Sequence, residues 1–227
     1  MSVGTANPEA LTAPTASPPV VVDERPADAP PAAHGSTNQN PAGVGLWALL
    51  REDLRTHDGL WLEQGFWAVA VHRLGNWRMG LPKLLRMPMT VVYRLLYKVV
   101  EWTCGISLPY TVKLGRRVRL WHHGGMILHA HAIGDDCQLR HNTTLGVART
   151  GENYRLPTLG AGCDIGAGAA ILGEVQLGDG AVVGANGVVT KDVPAGGVAV
   201  GIPARVVKVV GSDDAGRAKP QAALEAS

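Results

Sequence analysis

The sequence predicts a mainly β protein, a parallel β-helix of hexapeptide repeats preceded by an α-helical region. Three observations predict it. Every sixth residue from Leu159 onward is aliphatic (Leu159, Ile165, Ile171, Leu177, Val183, Val189), with glycine following at Gly160, Gly166, Gly178 and Gly184. Four places after each aliphatic residue comes a small or compact one, as at Cys163, Ala169, Val175, Ala181 and Gly187. The same beat runs earlier through Leu114 and Leu120, then Ile127, Ile133, Leu139 and Leu145. Neither the 3.6-residue period of an amphipathic helix nor the alternation of a strand gives a repeat of six. One short strand and one turn per hexapeptide does.

Three hexapeptides close one triangular coil, so the twelve aliphatic positions correspond to four coils, stacked about 4.8 Å apart. The aliphatic side chain fills the prism, and the small residue lets the corner close. Nineteen of the 29 glycines fall between residues 105 and 201, where the turns need backbone angles that a Cβ opposes. The flat faces of one column still expose apolar surface, so association is expected, with a closed trimer the natural arrangement.

The beat slips twice. Leu120 to Ile127 is seven residues, placing one extra residue in Trp121-His122-His123-Gly124-Gly125. Leu145 to Leu159 is fourteen, two more than two repeats, which pushes out a loop through residues 147–155. Irregular segments on a rigid scaffold commonly hold functional groups.

The remaining chain divides by composition. Residues 1–43, rich in Pro, Ala, Ser and Thr and without periodicity, read as a disordered tail with no secretory signal. Residues 44–106 read as helical. Leu46, Leu49, Leu50 and Leu54 share one face, and Phe66, Val69, Ala70, Arg73 and Trp77 a second. Val91, Val92, Leu95, Leu96 and Val99 share a third. Five of the six tryptophans lie here, as expected of helices packed through bulky side chains. Residues 107–210 form the β-helix, and 211–227 a flexible polar tail.

The stretch from Met87 to Leu108 is interrupted by Arg94, Lys98 and Glu101, short of the roughly 20 apolar residues of a membrane span. Lys83, Arg86, Arg94 and Lys98 read as the solvated basic face of a packed helix, with contact to an anionic membrane surface as the alternative. A net charge of +2 points to neither nucleic acid nor membrane as the main partner. Three cysteines without a CxxC pair argue against a disulfide frame or a zinc site. Cys137 and Cys163 take the small inward slots as inert thiols of a reducing, cytoplasmic compartment.

Five of the eight histidines lie between positions 122 and 141. His122 follows Leu120 by two residues and His141 follows Leu139 by two, so the pair should stack on neighbouring coils. His129 precedes the turn, and His131 takes a slot normally given to a small residue. A neutral imidazole, with an ordinary pKa of about 6.5, can accept a proton from a hydroxyl. That chemistry suits direct attack of a bound alcohol on an activated acyl group. No cysteine or serine stands in an obvious nucleophile setting. Backbone N–H groups near Gly124-Gly125 are candidate oxyanion donors.

Several segments resemble the hexapeptide-repeat acyltransferases, and serine acetyltransferases in particular. They are Trp121–Gly125, the run His141-Asn142-Thr143-Thr144-Leu145-Gly146, Ile165–Ala169, and the ending Val188–Pro194 with Gly201-Ile202-Pro203-Ala204-Arg205. The helical stretch Gly65-Phe66-Trp67 through His72-Arg73-Leu74-Gly75-Asn76-Trp77 is similar to that family's N-terminal helical part. The resemblance spans roughly residues 46–210. It implies left-handed coils, a homotrimer or dimer of trimers with active sites between subunits, and acetyl-CoA as donor with no metal.

The family's catalytic histidine carries over onto His122, with His123 beside it as second candidate. Its CoA groove carries over onto Gly166, Ala167, Gly184 and Ala185, with Lys191 and Arg205 for the phosphates. His141, Asn142 and Arg155 are the candidate acceptor-binding residues. The departures lie on the acceptor side. Ser107 stands where the family has a carboxylate, Trp121 replaces an acidic residue, and Leu156 replaces a histidine. The implied acceptor is L-serine, with a sugar hydroxyl, as in exopolysaccharide acetylation, as the alternative. Two other readings use the same scaffold. One is a zinc hydratase, which needs a third convergent histidine; the other is a non-catalytic trimeric scaffold.

Overall fold

The computed structural model describes residues 35–151 and 154–210. The expectations for residues 1–34 and 211–227, and for Glu152 and Asn153 in the extruded loop, fall outside the described residues.

Three helices come first: α1 (Leu46–Thr56), α2 (Gln64–Trp77) and α3 (Lys83–Cys104). Helix α3 ends at Gly105, whose φ of +64° lets the chain turn at once into the first strand. The strands are β1 (Ile106–Ser107), β2 (Lys113–Leu114), β3 (Arg119–Trp121), β4 (Met126–Leu128), β5 (Ala132–Ile133), β6 (Gln138–Arg140), β7 (Thr144–Gly146) and β8 (Thr158–Leu159). They continue as β9 (Asp164–Ile165), β10 (Ala170–Leu172), β11 (Gln176–Leu177), β12 (Val182–Val183), β13 (Val188–Val189), β14 (Gly197–Gly201) and β15 (Ala204–Val209).

Every third strand joins the same sheet, as a triangular coil requires. The first sheet runs β1-β4-β7-β10-β13, the second β2-β5-β8-β11 and the third β3-β6-β9-β12-β14-β15. All pairs are parallel except β14–β15. The predicted parallel β-helix with an N-terminal helical region is therefore the observed fold.

It has five coils where twelve aliphatic positions implied four. Leu108, buried and six residues before Leu114, opens the first coil. At the other end Val193, bridged to Leu177, and Ala199 complete the fifth.

Ile127 is a correction. It points outward at 46% exposure, while Met126 and Leu128 on either side are buried. Gly124 and Gly125 take φ of +98° and +66°, so the insertion holds two residues and reverses the strand's facing. Leu128 therefore pairs with Leu145, and the next inward residue, Ile133, follows after five. Ala130 thereby takes the small buried slot expected for His131. The second slip is also larger than expected. Strands β7 and β8 are consecutive, so the whole excess over one repeat, eight residues, leaves the prism between them.

The helical region is organised differently from the expected bundle. Of the tryptophans, Trp47, Trp61, Trp67 and Trp102 are exposed, as are Val91, Val92, Leu95, Leu96 and Val99. Helix α3 packs inward through Tyr93, Val100 and Cys104 instead, with the Tyr93 ring edge-on to Tyr110. Residues 35–43, assigned to the tail by composition, reach α2. The Gln39 amide donates to Asn76 Oδ1 at 3.0 Å, and the Asn40 side chain to the Arg73 carbonyl at 3.0 Å.

The first coil has no coil above it, so its strand edges carry polar backbone groups without strand partners. Helix α2 and the residue that ends α1, His57, supply partners. His72 Nε2–H donates to the Val112 carbonyl at 2.9 Å, and Asn76 to the Tyr110 carbonyl at 2.8 Å. Arg73 donates to the carbonyls of Leu114 at 2.9 Å and Gly115 at 2.6 Å. His57 Nδ1–H donates to the Asp53 carbonyl, leaving Nε2 to accept the Leu120 N–H at 3.3 Å. Gly65 permits the close approach, since a Cβ there would run into the Leu120 carbonyl.

Arg73 is fully buried, and its charge is met by Asp53 of α1, also fully buried, at 3.0 Å from Nε. Removing one partner leaves an uncompensated buried charge. Asp53→Ala is therefore expected to destabilise the protein by about 3–5 kcal/mol, read from the urea midpoint.

A second expectation concerns pH. Burial, with the adjacent Arg73 charge, holds the His72 imidazole down to about 3. In the unfolded chain it titrates near about 6.5, so between those values only the unfolded state binds the proton. The stability from keeping His72 neutral is complete above the unfolded pKa. It falls as pH drops toward 3, by up to about 1.4 kcal/mol per pH unit. Urea midpoints measured from pH 7 to pH 4 in wild type and His72→Gln should diverge accordingly.

Candidate active site at one corner of the solenoid

The register of the third sheet builds the site. Leu120, Leu139, Ile165, Val183 and Ala199 stack through paired strands. Two residues beyond each lies the corner leading to the first sheet, so His122, His141, Ala167, Ala185 and Gly201 occupy equivalent places. The predicted stacking of the histidines is observed. Their ring centroids lie 5.7 Å apart, edge to face. Below them the equivalent corner positions carry small residues, Gly166-Ala167 and Gly184-Ala185.

Local backbone holds these groups. His122 and Asn142 both take left-handed conformations, φ +63° and +58°. The Asn142 N–H donates to the Gly124 carbonyl at 3.1 Å. Gly125 lies against Asn142 Oδ1 so closely that a Cβ could not be added without displacing it. His122 and His123 are exposed and His141 is half-buried, but His141 Nδ1 is buried with no hydrogen-bond partner among the described residues. One of the two candidate oxyanion donors is already used, because the Gly124 N–H donates to the Cys104 carbonyl at 3.0 Å. The candidate role passes to Gly125.

The other predicted residues divide between two places. Arg205, on β15, pairs with Val200 at the lower end of the same corner. Arg155 and Lys191 lie instead at the corner between the first and second sheets, so a single chain does not bring them to the histidines. Arg155 Nε, like His141 Nδ1, is a buried polar atom with no hydrogen-bond partner among the described residues.

At this second corner a cavity of about 300 Å³ opens between Pro109, Thr111, Val112, His129, Ala130, Val147 and Leu156. Beside it runs a chain the sequence reading missed. Tyr97 Oη bonds Ser107 Oγ at 2.8 Å, and Ser107 Oγ bonds His129 Nε2 at 3.3 Å. Partial desolvation holds the His129 imidazole below its ordinary pKa. Ser107, at the expected carboxylate position, is thus engaged away from His122. Trp121 donates to Gln138 Oε1 at 2.6 Å and lies under the Arg119 guanidinium. Leu156 is buried.

All three cysteines are free and buried. Cys137 and Cys163 donate to the Gly160 and Gly178 carbonyls, and hydrogen bonding with Cys137, together with burial, pushes the Cys163 thiol up. Among the described residues no three His, Cys, Asp or Glu side chains converge as a metal site.

No protein-family model matches the chain. Individual relatives do. The serine acetyltransferase of Helicobacter pylori (strain ATCC 700392 / 26695) is 33% identical over 170 residues, covering 74% of this chain and 90% of that protein. The chain belongs to the serine acetyltransferase family. The Synechococcus elongatus member is 34% identical over 144 residues, covering 63% of this chain and 57% of the relative. Against the Salmonella typhimurium member the chain again spans little more than half the relative, 53%.

Solved serine acetyltransferases share the fold. The Brucella abortus enzyme in complex with coenzyme A aligns at 27% identity and a TM-score of 0.62, over 72% of this chain and 68% of that one. The soybean enzyme complexed with serine aligns at 27% identity and a TM-score of 0.61, over 77% and 81%.

The buried thiols give a direct check. Ellman's reagent should react with none of the three cysteines in the native protein and with all three in denaturant, since only an accessible thiolate attacks.

Proposed function

We propose that this member of the serine acetyltransferase family is an acetyl-CoA-dependent O-acetyltransferase acting on the hydroxyl of L-serine. One observation carries the reading: the His122 and His141 rings stack 5.7 Å apart at a corner whose next two coils carry only alanine, Ala167 and Ala185, in the equivalent place. The relatives that bind coenzyme A and serine support it. Gly166, Ala167, Gly184 and Ala185, small residues below the histidines on the same side of the column, are assigned to the slender pantetheine chain. Arg205, at the lower end of that corner, suits the CoA phosphates.

In the proposed reaction the acceptor hydroxyl gives its proton to His122 as its oxygen attacks the thioester carbonyl. The oxyanion accepts from the Gly125 N–H. On collapse the C–S bond breaks and the proton returns from His122 to the departing thiolate. His141 packs against the base, and with Asn142 it holds the acceptor; His123 is the second candidate for the base.

The oligomer in this proposal is a closed homotrimer, whose heterologous interfaces set one chain's Arg155 and Lys191 beside the next chain's histidines. That arrangement accounts for their separation within one chain. The free thiols suit a reducing compartment such as the cytoplasm.

A second acceptor, a sugar hydroxyl, is favoured by a specific observation. Ser107, Trp121 and Leu156 stand where the resemblance implies two acids and a histidine, so a serine ammonium group would lack carboxylate partners there. Thiol release from acetyl-CoA, measured with L-serine and nucleotide sugars in parallel, separates the two. No stimulation by any acceptor would defeat the enzyme reading.

His122→Ala is expected to lower kcat by about 10²–10⁴-fold; full activity would remove His122 as the base. Gly125→Ala, which displaces Asn142, should raise the acceptor's KM several-fold while KM for acetyl-CoA stays unchanged.

A further inference from the structure

Helix α3 turns an unpartnered apolar side outward. Leu84, Val91, Leu95 and Trp102 are exposed at 82%, 58%, 63% and 81%. Successive helical residues are rotated by about 100°. These four therefore fall within about 40° of one another, opposite the inward-packed Tyr93, Val100 and Cys104. On one side Val99, Val92, Leu85 and Leu96, also exposed, extend this face into an arc of about 140°. On the other side lie Lys98, Arg94 and Lys83, about 40°, 80° and 100° from Leu84 and all exposed. The helix's single acid, Glu101, is paired with Lys98.

The geometry points to α3 as an interfacial helix that seats the protein on an anionic lipid surface. A wide apolar face edged by cations, with aliphatic residues and a tryptophan on the apolar side, is the arrangement that lies in a headgroup layer. No described helix is long and apolar enough to cross a membrane, so the helix rests on the surface. A second copy of the helix fits less well. The arc is wider than the narrow a/d seam of a coiled coil. Antiparallel pairing would also set the two cationic borders against each other. The cationic border selects anionic headgroups over neutral ones. This inference rests on the exposed face alone and is independent of the acceptor.

The test is co-sedimentation of the full chain with vesicles. Binding to phosphatidylglycerol-containing vesicles should exceed binding to pure phosphatidylcholine by at least about tenfold and weaken with salt. Leu95→Asp and, separately, Arg94→Glu should each reduce it severalfold without changing thiol release, because both side chains are solvent-facing and remote from the histidine corner. Equal binding to the two vesicle types, or unchanged binding of Leu95→Asp, overturns the inference. So does an absence of vesicle binding together with a fall in oligomeric mass of Leu95→Asp, which would assign the face to a second copy.

Discussion

A fully buried arginine–aspartate pair ties the two halves of this protein together. Asp53 belongs to α1, Arg73 to α2, and the remaining guanidinium donors go to carbonyls of the first coil. Two charges removed from water cost several kcal/mol each unless their hydrogen bonds are met. Here four bonds from one side chain meet them, and each bond also fixes a helix or a strand edge. The β-helix therefore begins at a defined height, and every coil below inherits its register from that start. The stacked imidazoles, one and two coils down, are held in place by the same anchoring.

Much of this was legible in the sequence because a hexapeptide beat translates almost directly into position. The match of Leu120 with Leu139 places His122 over His141 with no knowledge of the surrounding structure. The same arithmetic failed where two glycines adopt left-handed angles, since a reversal of facing at Ile127 leaves the count of aliphatic residues unchanged. Only the pairing of Leu128 with Leu145 reveals it.

The helical segment was harder for a different reason. Periodicity identifies an apolar face but not whether anything covers it, and α3 presents aliphatic residues outward while packing through a tyrosine, a valine and a cysteine. The polar residues His72, Arg73 and Asn76 within α2 were the available signal that this helix meets exposed backbone rather than another helix. The Tyr97–Ser107–His129 chain had no signal beyond the unexpected serine, because its members come from a helix and two separate coils.

Strand β15 bears on the length of the column. A constant six-residue repeat contains no instruction to stop, and a bare last coil would template another chain edge-on, as amyloid-forming edges do. By doubling back antiparallel to β14, β15 occupies the third-sheet position where a sixth coil would sit and offers an edge of the wrong polarity for continuing the parallel stack. Chain reversal at that point acts as a terminator, giving a potentially endless architecture a finite length.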